Sequence, residues 1–183
     1  SVYVDDASPG WDTSNVTIAA NATTEWAVTS DGTDIWVIAL QGSTGADLWT
    51  CDNCPTISPT WTDSNDPFSS LTNVTEVSST YLTTDTKLIA YILQGTGASE
   101  KVTFKSTTAI GGNNPTWESG SNDMAFTAPG SSGFANLSAV QVTTVDTQAG
   151  AVVNDVTTGQ LGYEFATLPE YSIILLILLR IMI

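Results

Sequence analysis

Histidine is absent from the 183 residues, and only four side chains carry a positive charge against 19 that are acidic. The missing histidine excludes a Ser-His or Cys-His nucleophile pair and any histidine-ligated metal. The missing bases exclude nucleic-acid binding through a basic patch, because a chain with a formal charge of -15 repels phosphates. The only arginine, Arg180, sits inside an apolar tail. Charged residues make up 13% of the chain, about half the usual quarter. No glycine-rich phosphate loop precedes a helix, and no convincing amphipathic helix occurs before residue 168. No pair of carboxylates stands out as a glycosidase couple. These absences leave no recognisable reaction, and the chain reads as a non-enzymatic protein.

What is abundant points to a compartment. Thr contributes 29 residues and Ser 19, about a quarter of the chain together. Low Lys with high Thr, Ser, Asn and Gly is the composition of an exported surface protein. Four Asn-x-Ser/Thr sequons place glycosylation candidates at Asn15, Asn21, Asn73 and Asn136. Asn114 is excluded because Pro115 comes directly after it. The start at Ser1, with no charged-then-apolar leader, suggests a mature form whose signal peptide has been removed. The two cysteines, Cys51 and Cys54, stand two residues apart. Without a second pair or a histidine they cannot make a four-ligand zinc site, and the expected state is a disulfide pinning a loop. Free thiols are the alternative. A ring this short shapes a turn more than it stabilises a fold.

The apolar periodicity is mostly two. Ile35–Leu40 and Leu88–Leu93 are short runs of strand-preferring residues, each ending at Gln-Gly, at Gln41-Gly42 and Gln94-Gly95. They read as buried strands with a turn after each. Asp31-Gly32 marks a hairpin before the first. Val140–Val145 alternates like a half-exposed strand, and Val152–Val156 is a shorter candidate. The expected fold is all-β, built of repeated antiparallel sheets, either partly propeller-like or a β-sandwich, with a short C-terminal hydrophobic segment.

The chain also repeats. One copy runs from Asn15-Val16-Thr17 to Pro59-Thr60-Trp61, and the next from Asn73-Val74-Thr75 to Pro115-Thr116-Trp117. The expected organisation is a β-repeat domain over 1–167, with repeats at about 13–66 and 71–123, half units at 1–12 and 134–165, and a tail over 168–183. Each whole unit has about four strands. Trp11, Trp61 and Trp117 read as repeat-defining core residues, and Trp26, Trp36 and Trp49 as buried strand residues. A hairpin closing on Trp resembles the Asp-box repeats of sialidase-like β-propellers over roughly residues 1–125. The spacing departs from that family's Ser-x-Asp-x-Gly-x-x-Trp pattern, since Asp52 lies too far from Trp61, and Ser106 to Trp117 lacks an Asp. Three units are also fewer than the four a closed propeller needs. The family holds its substrate with an arginine cluster, which Arg180 alone cannot supply, so the resemblance implies fold and not catalysis.

The tail is unlike the rest. Ile173, Ile174, Leu175, Leu176, Ile177, Leu178, Leu179, Ile181, Met182 and Ile183 form an apolar run broken only by Arg180. As a helix it spans ~16 Å, too short for a bilayer that needs ~20 residues. As a strand it reaches ~36 Å. Leu168-Pro169-Glu170-Tyr171 ahead of it resembles the C-terminal sorting signals processed by exosortases and archaeosortases. That resemblance makes Pro169, Glu170 and Tyr171 the sorting-motif candidates. The other expectation is that the run is buried against neighbouring copies. The oxygen-rich turn at Asp63, Asn65 and Asp66 is the candidate for a calcium ion; no other cofactor is expected. The combined expectation is an extracellular or cell-surface structural subunit that forms a homo-polymer, a filament or surface layer. The alternatives are a protein or adhesin attached to the membrane or cell envelope, and a glycan-binding propeller fragment.

Overall fold

The computed structural model describes residues 2–3, 15–16, 25–52, 54, 60–83, 85–110, 114–140 and 148–168, the first two pairs by backbone only. The fold is all-β. It holds three antiparallel sheets and a short ribbon in which β1 (Val2–Tyr3) pairs with β2 (Asn15–Val16). The first sheet runs β3 (Trp26–Ser30), β4 (Ile35–Leu40), β5 (Ala46–Cys51) and β6 (Trp61–Phe68) in sequence order. The second runs β7 (Val74–Leu82), β8 (Lys87–Gln94), β9 (Lys101–Ala109) and β10 (Thr116–Trp117), with β11 (Asn122–Asp123) also on β9. The third holds β12 (Phe134–Val140), β13 (Gln148–Asp155) and β14 (Gln160–Thr167). The first sheet spans residues 26–68 of the chain and the second 74–123. Among the described residues there is no α-helix, only a 3-10 turn at Gly97–Ser99.

The sheets stack in chain order, and strand periodicity explains how. Side chains alternate between faces, so β8 can serve two cores at once. Leu88, Ala90 and Ile92 join Trp36, Ile38, Leu40 and Leu48 of the first sheet. Ile89, Tyr91 and Leu93 join Ala149, Ala151 and Val153 of the third. A strand covered on both faces needs a continuous apolar run, which is why Leu88–Leu93 contains no polar residue but the tyrosine. Among the leading strands, β7 directly approaches both β3 and β12. Trp36 stacks on Tyr81 at 5.4 Å between ring centres, joining the first sheet to the second.

The Gln-Gly pairs are the turns expected of them. Gly42 has φ +61° and Gly95 φ +111°, a backbone region open to glycine at little cost. At Gly95 a Cβ would also stand 2.7 Å from the Ser99 carbonyl oxygen, so this position has a second reason to stay bare.

Several expectations differ from the structure. Trp26 is 63% exposed rather than buried, because it lies on the outer face of β3, opposite the side that carries Ala27 onto the core. Of the strand placed at Val140–Val145 only Val140 is described, as the last residue of β12, which begins at Phe134; residues 141–147 lie outside the described set. Of the Val152–Val156 candidate, Val152 to Asp155 form the second half of an eight-residue strand, β13, and Val156 lies in the turn after it. Trp36 is fully buried, whereas Trp49, expected to be buried, and Trp61 and Trp117, expected in the core, are half-buried, Trp61 at the start of β6 and Trp117 at the end of β10. Trp11 lies outside the described residues.

Candidate functional site

The two junctions between sheets show what each sheet offers its neighbour. At the first, Thr29 and Ser79 share a hydroxyl hydrogen bond of 2.7 Å, and the Trp117 indole N–H donates to the Asn65 carbonyl at 2.7 Å. At the second, β12 carries a bulge between Ala135 and Ser138 that takes two backbone N–H groups out of the ladder with β13. The Glu76 carboxylate accepts both, from Asn136 at 2.9 Å and from Leu137 at 2.6 Å. Ser78 Oγ accepts from the Ala139 N–H at 2.8 Å, and Glu100 from the Phe134 N–H at 2.6 Å. The buried Tyr91 hydroxyl accepts from the Gly150 N–H at 3.1 Å, and burial pushes its pKa far up. Oxygen atoms of the second sheet therefore hold the backbone of the third.

Beyond the third sheet nothing described takes up that role. Register places Leu161, Tyr163 and Phe165 on the face of β14 turned away from the core, opposite Asn154, Val152 and Gly150. Their exposures are 76%, 50% and 52%. Among the described residues, the other exposed large apolar side chains are Val156 in the β13–β14 turn and Trp26 and Val28 on the outer face of β3. Exposed apolar surface among these residues is thus confined to the two ends of the stack. Such patches on a soluble protein mark contact sites. Sequence reading passed over β14, though the alternation of Leu161, Tyr163 and Phe165 was its signal.

Beside this face is a cleft of about 250 Å³ lined by Phe126, Phe134, Asp155, Gln160, Tyr163 and Glu164 among others. Desolvation pushes the Asp155 carboxyl up, but hydrogen bonds from Thr157, Thr158 and the Gly130 N–H outweigh it and hold its pKa below the usual range. That carboxylate therefore shapes the β13–β14 turn.

Of the residues singled out for calcium, burial raises the Asp66 pKa and Asp63 lies near enough to raise it further, and Asn65 and Asp66 each make other hydrogen bonds. Asn65 reaches toward the second sheet, where its amide donates to the Pro115 carbonyl at 3.4 Å. Asp66 accepts from the Leu48 N–H at 3.1 Å. Asp47, across the sheet, also comes near Asp63 and Asp66. Partial burial, then the charges of Asp66 and Asp63, push the Asp47 pKa up to about 6. Among the described residues no three Asp, Glu, Cys or His side chains are grouped to hold a metal ion. Sequence reading missed Asp47 because the sheet, not the chain, brings it to the others.

Cys51 and Cys54 are joined in a disulfide with their Cα atoms 5.4 Å apart. The Cys54 N–H donates to the Thr33 carbonyl at 2.8 Å, tying this loop to the β3–β4 turn. Asn73 and Asn136 are exposed, each with a positive φ, 54° and 58°. Each precedes a buried apolar residue, Val74 and Leu137. Asn tolerates this left-handed conformation better than most residues, so the backbone itself calls for it at both places. Asn15 is described by its backbone alone, in β2. Asn21, the sorting-motif candidates Pro169, Glu170 and Tyr171, and the apolar run from Ile173 to Ile183 lie outside the described residues. Leu168, the last described residue, is fully buried in the core shared by the second and third sheets. Among the described residues no helix is long and apolar enough to cross a membrane.

No family model matches the chain, and no curated protein matches it either.

Proposed function

We propose that the chain is a non-enzymatic structural subunit of the cell exterior that self-assembles into a filament or surface layer, with the apolar segment 173–183 buried against neighbouring subunits. One observation carries this reading. The strand β14, with its open apolar face, is followed in the sequence by the buried Leu168, four further residues, and then a segment whose eleven residues include ten apolar ones. An open apolar face and an apolar run a few residues further along the sequence, on a chain with a charge of -15, favour partners over water. The Cys51–Cys54 disulfide and the Thr- and Ser-rich composition support an oxidising, exported setting.

The test is sedimentation without detergent of the full chain beside one ending at Thr167. The expected result is a polymer from the first and smaller species from the second. Monomers from both overturn the assembly reading and move the search to membrane or envelope attachment, with Pro169, Glu170 and Tyr171 as the processing motif.

A further inference from the structure

Among the described residues, the third sheet has three strands where the first has four and the second runs through four, β7 to β10, besides β11. In both earlier sheets the third strand lies between two neighbours: β5 pairs with β4 and β6, and β9 with β8 and β10. The third strand of the last sheet is β14, and among the described residues it pairs with β13 alone. Its outer face differs from its counterparts in the same way. Leu48 of β5 and Phe104 of β9 are at most 1% exposed, whereas Tyr163, at the middle of β14, is 50% exposed. An open strand edge presents a row of unpaired backbone N–H and C=O groups, and such a row accepts another strand.

The cleft beside β14 marks the same edge. Five consecutive residues of the strand, Gln160 to Glu164, line it. Successive side chains point to opposite faces, so a cleft lined by both sets follows the backbone of the strand and not one face alone. Phe126 and Phe134 add apolar lining, and Asp155 and Glu164 add negative charge.

The sequence after β14 fits this edge in length, pattern and charge. Ile173 to Arg180 is eight residues, the length of β14. A turn at Pro169-Glu170-Tyr171 sets Leu168 opposite Ser172, Ile173 opposite Thr167 and Arg180 opposite Gln160. Three-residue loops are common in hairpins, and proline suits the second position of the type I turn on which they are built. In this register even-numbered residues of both strands share the core side, where Leu168 is already buried, and odd-numbered residues share the outer side. Arg180, the only arginine, then falls on the core side at Gln160, whose partner on β13 is Asp155 of the cleft. Five of the eleven residues of the run are Ile, which favours the extended backbone. The run is apolar at even and odd positions alike, as Leu88–Leu93 is in a strand covered on both faces.

We infer that residues 173–180 add to the free edge of β14 as the fourth strand of the third sheet, antiparallel to it and from the same chain. A connection of five residues holds the run at high effective concentration over its own sheet, which favours this pairing over the same pairing between chains. The core-side row, Ile174, Leu176, Leu178 and Arg180, enters the cleft. The outer row, Ile173, Leu175, Ile177 and Leu179, widens the apolar face of Leu161, Tyr163 and Phe165. That wider face is the one the self-assembly reading gives to neighbouring subunits, and the added strand stands whether or not copies assemble.

The experiment joins Phe165→Cys and Leu175→Cys, opposite each other in this register, in one full-length chain and adds a short thiol cross-linker. The native cysteines are already paired, so the two new thiols are the reactive ones. The expected result is a link within one chain, mapped by mass spectrometry, at least tenfold above that of Phe165→Cys with Leu176→Cys, whose second thiol lies on the other face. Amide exchange on the unaltered full chain, without detergent, is the second measurement and needs no substitution. It is expected to show alternate amides of 173–180 protected, and alternate amides of β14 losing protection when 169–183 are removed. Equal yields from the two variants, or no protection in 173–180, overturn the inference. Unbroken protection along the run marks a helix and overturns it. A link that forms only between chains, in a mixture of Phe165→Cys and Leu175→Cys single variants, overturns the single-chain strand and shows that subunits exchange their tails. Sedimentation of the same samples separates this inference from the self-assembly reading. Monomers with the link within one chain keep the strand and overturn assembly; polymers without it do the reverse.

Discussion

Replacing Glu76 with Ala removes the acceptor of two backbone N–H groups that the β12 bulge leaves without ladder partners. Hydrogen bonds to a charged group contribute about 1.5–3 kcal/mol each, toward the lower end where water can compete. Asn136 is exposed, so its N–H finds water when the carboxylate goes, and its share is about 1 kcal/mol. Leu137 is buried, and its N–H is left unsatisfied at about 2 kcal/mol. The expected loss is about 3 kcal/mol, a large part of the stability of a domain this size. Glu76→Gln keeps one carbonyl acceptor and turns an NH2 toward the other N–H, so it loses about half as much or more. Equilibrium unfolding in urea, with amide exchange at Asn136 and Leu137, measures both effects. Glu25→Ala, at an exposed position ahead of β3, is the control and stays within about 0.5 kcal/mol. A Glu76→Ala change no larger than the control, with unchanged protection of the Leu137 amide, refutes the clamp.

Tyr91→Phe deprives the Gly150 N–H of its buried acceptor and lowers stability by about 1–3 kcal/mol in the same urea assay, with no change in the β-sheet circular dichroism signal. Asn136→Val places a β-branched residue at φ 58° and costs about 1–2 kcal/mol or more, whereas Asn136→Gly is close to neutral; a thermal melt of both distinguishes backbone conformation from side-chain loss. Asp47 has its pKa raised to about 6, so its contribution to stability is present in full below the unfolded value near 4 and is lost as pH rises through about 6. Stability therefore falls between about pH 4 and 6, and Asp47→Asn flattens that fall by about 1 kcal/mol or less because solvent screens the site; parallel melts across that range, equally steep in both proteins, contradict the assignment.

Much of the fold was legible because the central strands are covered on both faces. Ile35–Leu40 and Leu88–Leu93 announce themselves as unbroken apolar runs, and the Gln-Gly pairs after them supply the glycine that each positive φ requires. The all-β class is implied by those runs and by the Asp31-Gly32 turn. The illegible parts lie where the chain gives no local sign of its neighbours. Trp26 looks like core because tryptophan usually is, and only the register of β3 on β4 shows that it points outward. Asp47 gives no hint of Asp63 and Asp66, sixteen and nineteen positions on, until β5 and β6 pair. The open face of β14 was invisible for the same reason. Its residues match buried ones in the earlier sheets, and the difference is that each earlier sheet has another packed over it.

The order of strands within each sheet has a consequence for how the chain comes to be folded. Apart from the short β11, every strand pairs with one adjacent to it in sequence, so no described sheet waits for a distant segment before it can close. Contacts this local shorten the search and favour rapid folding. A chain emerging from its N-terminal end can finish the first sheet, lay the second on it, and hold the second's remaining face open only until β12 and β13 arrive. The Glu76 carboxylate is then already in place to receive the bulge. The last face exposed during synthesis is also the last face exposed in the finished molecule.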